Sequence, residues 1–132
     1  MFLKNCWYVA GWSKDYKAEL KPQKLLGENI VFYRQRDGKA VALEDACPHR
    51  KLPLSQGQLN QDTVICGYHG LTFDGSGRCV DAPTQRDNVP KRAAVKSYPV
   101  VDRYRLLWIW MGDPARANPD EIFKIENFDN PD

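Results

Sequence analysis

At 132 residues, with 42% hydrophobic and 27% charged side chains, the chain can bury one core and has the composition of a soluble globular domain. Its formal charge of +2 is too small to argue for a nucleic-acid partner. No window holds the ~18 apolar residues of a membrane span, and the N-terminus lacks a basic stretch followed by an apolar run and a small-residue cleavage site, so no membrane association and a cytoplasmic location are expected. The charge is unevenly spread. Residues 113–132 carry six acidic side chains against Arg116 and Lys124, a balance of −4, which leaves +6 on residues 1–112.

In chain order the pattern is one of short strands broken by turns. Ile30 to Arg34 is rich in β-branched and aromatic residues, Asp37-Gly38 is a hairpin signal, and Ala40 to Leu43 returns. Val64 to Cys66 is a further short strand. Leu71 to Phe73 and Arg78 to Val80 pair around the turn Asp74-Gly75-Ser76-Gly77, and residues 81–92, with Pro83 and Pro90, read as a long surface loop. Tyr98 to Val101 and Tyr104 to Met111 form a last pair, joined at Asp102-Arg103. No stretch sustains a helical period and no internal repeat is present, so a small all-β antiparallel sandwich or barrel is expected. Trp7, Tyr8, Trp12, Trp108 and Trp110 lie on or beside apolar strands and are expected to pack rather than to form a substrate cage.

Two short boxes carry the chemistry: Cys47-Pro48-His49-Arg50 and Cys66-Gly67-Tyr68-His69-Gly70. Each pairs one cysteine with one histidine. A zinc site of two cysteines and two histidines remains an alternative, but zinc boxes normally keep cysteines together and histidines together. Mixed pairs suit a Rieske [2Fe-2S] cluster, in which one iron takes two thiolates and the other two imidazoles. On that reading Cys47 and Cys66 converge on one iron, and His49 and His69 on the other. Pro48 stiffens the first loop, while Gly67 and Gly70 let the second bend closely. Cys6 and Cys79 remain, and each is expected to fill a strand interior rather than to form a disulfide.

Cys47-x-His49-Arg50 followed by Cys66-x-Tyr68-His69-Gly70-x-x-Phe73 resembles the N-terminal Rieske domain of Rieske non-haem iron oxygenases. The opening Met1 to Ala10, the segment Leu54-Ser55-Gln56-Gly57 and the run Leu107 to Pro114 are similar to the vanillate O-demethylase and dicamba monooxygenase type. The resemblance implies the Rieske fold: a base of two sheets, and a cluster-binding subdomain made of two hairpin-like loops at its tip. It implies a domain over residues 1–112, with the cluster loops at about 45–74, and an acidic, proline-containing extension or linker over 113–132. Respiratory-complex Rieske proteins resemble the site but carry a further cysteine in each loop and a serine after the second histidine. Here those positions hold Leu52, Tyr68 and Leu71, which puts the expected potential toward the low end of roughly −150 to +300 mV. Phe73 and Tyr68 are expected beside the cluster, where they would shield it.

Family oxygenases hold a mononuclear non-haem Fe(II) on two histidines and a carboxylate in a catalytic domain. This sequence has two histidines, both assigned to the cluster, so it is expected to transfer electrons and not to oxygenate. The resemblance then implies an electron-entry domain of an aromatic-compound oxygenase of the O-demethylase or hydroxylase type. A flavin and ferredoxin-type reductase would be the donor, a catalytic oxygenase domain the acceptor, and the full-length form a homotrimer. A stand-alone Rieske ferredoxin is the alternative. The apolar Ile122, Phe123, Ile125 and Phe128 of the extension suggest a packing partner beyond this chain. Arg50 and Lys51 are candidates for docking an acidic electron donor.

Overall fold

The computed structural model describes residues 6–46, 53–66, 71–81 and 94–118. These form eleven strands: β1 (Cys6–Trp12), β2 (Lys21–Leu25), β3 (Glu28–Arg34), β4 (Ala40–Glu44), β5 (Gln58–Asn60), β6 (Thr63–Ile65), β7 (Thr72–Phe73), β8 (Cys79–Asp81), β9 (Ser97–Tyr98), β10 (Val100–Arg103) and β11 (Leu106–Met111). All pairings between them are antiparallel. The helical elements among the described residues are single 3-10 turns, at Ser13–Asp15, Leu54–Gln56 and Pro114–Arg116.

Three sheets result, in the orders β1-β11-β10, β2-β3-β4-β9 and β5-β6-β7-β8. The middle sheet explains the unbroken apolar runs of β3 and β4, because it is buried on both faces. Ile30, Phe32, Ala40 and Ala42 join Leu107, Ile109 and Met111 of the first sheet in one core. Their neighbours Val31, Tyr33, Val41 and Leu43 point the other way and join Leu54, Val64, Cys66, Leu71, Phe73 and Cys79 in a second. The first two sheets are the expected two-sheet base, and the third, β5-β6-β7-β8, packs against it as a small subdomain. That subdomain is seated on the back of the central sheet, so the base buries its own core and also supplies four residues, Val31, Tyr33, Val41 and Leu43, to the core beneath the candidate centre.

The hairpin at Asp37-Gly38 forms as expected: Gly38 takes φ +90, its N–H donates to Gln35 O, and the Asp37 carboxylate accepts from the Lys39 N–H. The last hairpin is displaced from its expected position. Its turn is Tyr104-Arg105, with φ of 56 and 63, and Arg103 pairs with Leu106, so Asp102-Arg103 belongs to strand β10. Two left-handed residues in succession make the two-residue turn that matches strand twist. Trp12 departs from its expected packing role. It is 52% exposed, because a bulge between Val9 and Gly11 precedes it and it pairs with Leu106 at the far end of the β1–β11 ladder. Trp110 is buried and packs edge-on against Trp7 at 5.4 Å between ring centroids. Cys79 is buried on β8 and Cys6 is half-buried on β1. The surface loop expected over 81–92 lies outside the described residues apart from Asp81, which ends β8.

Candidate iron-sulfur centre

Of the four expected ligands, Cys66 is among the described residues; Cys47, His49 and His69 lie outside them, as do Arg50, Lys51 and Tyr68. The described residues define where each ligand loop begins and ends.

The second loop leaves β6 at Cys66 and returns at Leu71, just before β7. Its base is closed by the Cys66 N–H, which donates to Leu71 O at 2.7 Å. Cys66 is 2% exposed and Leu71 is buried, both in the apolar group with Val64 and Phe73. The first loop leaves β4 through Asp45 and returns at Pro53, where the 3-10 turn Leu54–Gln56 begins. Here the base is closed by a side chain. Asp45 Oδ1 accepts the Ser55 N–H at 2.7 Å, and Asp45 Oδ2 accepts the Ser55 hydroxyl at 2.7 Å. The Asp45 N–H in turn donates to Asn29 O at 2.9 Å, fastening the loop to the start of β3. Leu54, fully buried, lies in the same apolar group as Cys66 and Leu71. Both loops therefore spring from one patch of core, which is the arrangement two mixed Cys/His pairs need in order to share two irons.

Asp45 and Ser55 were not among the residues that sequence reasoning assigned to the site. The available signal was an acidic residue two positions before Cys47 and a hydroxyl just after the loop, a pairing that only the fold brings together. Phe73 is fully buried beside Cys66 in this core. Below the first loop a cleft of about 370 Å³ is lined by Glu28, Glu44, Asp45 and Tyr98, among others. Its charge is offset by Lys96, whose Nζ stands 3.8 Å from Glu28 Oε1 and 4.8 Å from the Tyr98 ring centroid. Burial, together with a 2.6 Å hydrogen bond to Glu28 Oε1, holds the Tyr98 hydroxyl well above the usual phenol range.

The donor set fits a [2Fe-2S] group. A thiol enclosed by apolar side chains suits a soft iron ligand excluded from water, and no described buried side-chain nitrogen or oxygen lacks a hydrogen-bond partner.

Residues 6–99 match the family model for the Rieske [2Fe-2S] domain, and the chain belongs to that family. It is a [2Fe-2S] electron-transfer domain, homologous to the N-terminal domain through which electrons enter Rieske oxygenases. Its sequence is 51% identical to the iron-sulfur subunit of the toluene-4-sulfonate monooxygenase system of Comamonas testosteroni, over 100% of this chain and 38% of the relative. It is 42% identical to a vanillate O-demethylase oxygenase subunit of Pseudomonas sp. (strain HR199 / DSM 7063), over 100% of this chain and 37% of the relative. The crystal structure of apo dicamba monooxygenase superposes with a TM-score of 0.89 at 44% identity, covering 93% of this chain and 38% of that one. The chain thus spans a little over a third of the proteins it resembles, and these are oxidoreductase components of multicomponent systems. Among the described residues no helix is long and apolar enough to cross a membrane.

Proposed function

We propose that this chain carries single electrons into an oxygenase acting on an aromatic compound, on a cluster held by Cys47, His49, Cys66 and His69. When bound, the cluster supplies reversible one-electron transfer at a potential that mixed thiolate and imidazole ligation sets above that of an all-cysteine cluster. The Cys47 and Cys66 thiolates would hold one iron and the His49 and His69 imidazoles the other, with Leu54, Leu71 and Phe73 keeping the Cys66 side apolar. Arg50 and Lys51, next to His49, serve to dock an acidic donor such as a flavin and ferredoxin-type reductase. Residues 1–112 make the electron-transfer domain, and 113–132 lead toward a catalytic domain in a cytoplasmic assembly, a trimer in its full-length form.

The observation that carries this reading is the common root of the two loops: Leu54, Cys66 and Leu71 share one core, with each loop base closed by its own hydrogen bonds. The similarity to oxygenase components along the whole chain favours an entry domain over a stand-alone ferredoxin. Only His49 and His69 are present, so a mononuclear iron on two further histidines cannot be built from these residues, and dioxygen chemistry is left to another domain. With NADH and a suitable reductase, the isolated chain should be reduced at a rate that falls as ionic strength rises. It should yield no product from a methoxylated aromatic until a catalytic domain is supplied. Product from the pure chain, rising with added ferrous iron, would contradict the proposal.

A further inference from the structure

We infer that Asp45 is a positioning residue for the cluster, gripping Ser55 with both carboxylate oxygens so that the span of the first ligand loop is fixed. The inference rests on the assignment of Cys47 and His49 as ligands. Asp45 is the one charged side chain buried among the described residues, at 8% exposure. A carboxylate is costly to bury, and it persists where its oxygens are fully used. Here both are used on a single residue, Ser55, through its N–H and its hydroxyl, each at 2.7 Å.

Ten positions separate the two residues, and the Cys47 and His49 box lies between them. Among the described residues, the second loop is closed across five positions by a backbone bond, from Cys66 N–H to Leu71 O. The longer first loop has more freedom to lose, and its tie is made of two bonds to one carboxylate. The tie is held from both sides. The Asp45 N–H is fastened to Asn29 O on β3, and the turn that presents Ser55 is plugged into the core by Leu54. The grip therefore relates the first loop to the same core that seats Cys66, and so sets how closely one Cys/His pair approaches the other. A cluster with four ligands on two loops demands tolerances of a fraction of an ångström, which loops achieve only when their bases are locked.

The test compares Asp45→Ala, Asp45→Asn, Ser55→Ala and Cys47→Ala with the parent chain, all taken through the same cluster reconstitution. The measurements are iron and sulfide content, the EPR line shape of the reduced protein, midpoint potential, and the rate of iron loss to a chelator. Asp45→Ala should lose iron about tenfold faster and show a broadened, shifted spectrum. Asp45→Asn keeps an acceptor for the Ser55 N–H and offers its amide to the hydroxyl, so it should restore most of the retention and the parental line shape. Ser55→Ala keeps the backbone bond alone and should fall between the two; it decides the matter if Asp45→Ala does not fold. An Asp45→Ala protein, or failing it a Ser55→Ala protein, with parental EPR, potential and iron retention would overturn the inference, even if its unfolding midpoint were lowered. In that case loss of the cluster from Cys47→Ala leaves the ligand assignment standing. An unchanged cluster in Cys47→Ala would overturn the assignment and the inference with it.

Discussion

Replacing Arg34 should unfasten the first sheet from the central one. Its guanidinium, 17% exposed, sits at the end of β3 and donates through Nε to Tyr16 O at 2.7 Å and through Nη1 to Gly38 O at 2.9 Å. Its Nη2 donates to Ser13 O at 3.0 Å and Ser13 Oγ at 2.9 Å, and both terminal nitrogens grip the Asp102 carboxylate on β10, at 2.9 and 3.0 Å. Asp102 is 41% exposed, so the ion pair itself contributes about 1 kcal/mol at most. The larger cost comes from three backbone carbonyls that lose a charged donor, each worth about 1 kcal/mol. Arg34→Met, which keeps the apolar stem, should therefore cost about 3 kcal/mol, and Asp102→Asn about 1 kcal/mol. Urea unfolding of the loaded protein under anaerobic conditions, followed by tryptophan fluorescence, reads both, and the double variant gives a coupling of about 1 kcal/mol. The Arg34 hydrogen bond holds the Asp102 carboxyl below its usual range, so its contribution is complete above the ordinary carboxylate pKa and disappears as pH falls through the lowered value. A cost below about 1 kcal/mol for Arg34→Met, or a coupling that persists after Asp102 is protonated, would refute this account.

Gly77 takes φ +86, and a Cβ there would stand 2.1 Å from Val95 O, so Gly77→Ala should cost at least about 2 kcal/mol and lower the thermal midpoint. Leu54→Ala should cost about 2–5 kcal/mol and also speed loss of iron, since the cavity opens under both loop bases; normal iron retention at that cost would separate the core from the site. Burial raises the phenols of both Tyr33 and Tyr98, and for Tyr98 the Glu28 bond adds to it. Neutral phenols in the fold mean stability that is complete below about pH 10 and lost as pH rises above it. An absorbance titration should therefore leave at least Tyr33 and Tyr98 silent until the protein unfolds in alkali.

The family was legible in the boxes at Cys47 and Cys66 because metal chemistry demands fixed residue types at short spacing, and the apolar runs Ile30 to Tyr33 and Ala40 to Leu43 were legible because burial on both faces leaves no polar alternation. Turns were legible where glycine marks them, as at Gly38 and Gly77. They were hidden where other residues hold the left-handed positions: Leu26 before Gly27, Gln61 between β5 and β6, and Tyr104-Arg105 between β10 and β11. Short strands such as Lys21–Leu25 and Gln58–Asn60 escaped for a related reason, since half-exposed edge residues carry little apolar signal. Asp45 and Ser55 were invisible as a pair because nothing in a ten-residue separation says that the two side chains meet.

Ligand substitution read by EPR decides whether Cys47, His49, Cys66 and His69, on two loops, hold the cluster. The parent chain should contain two irons and two sulfides and, when reduced, show the low average g of mixed cysteine and histidine ligation. His49→Ala and His69→Ala should each abolish or convert that signal. Variants that keep the parental spectrum and full iron content would contradict the assignment.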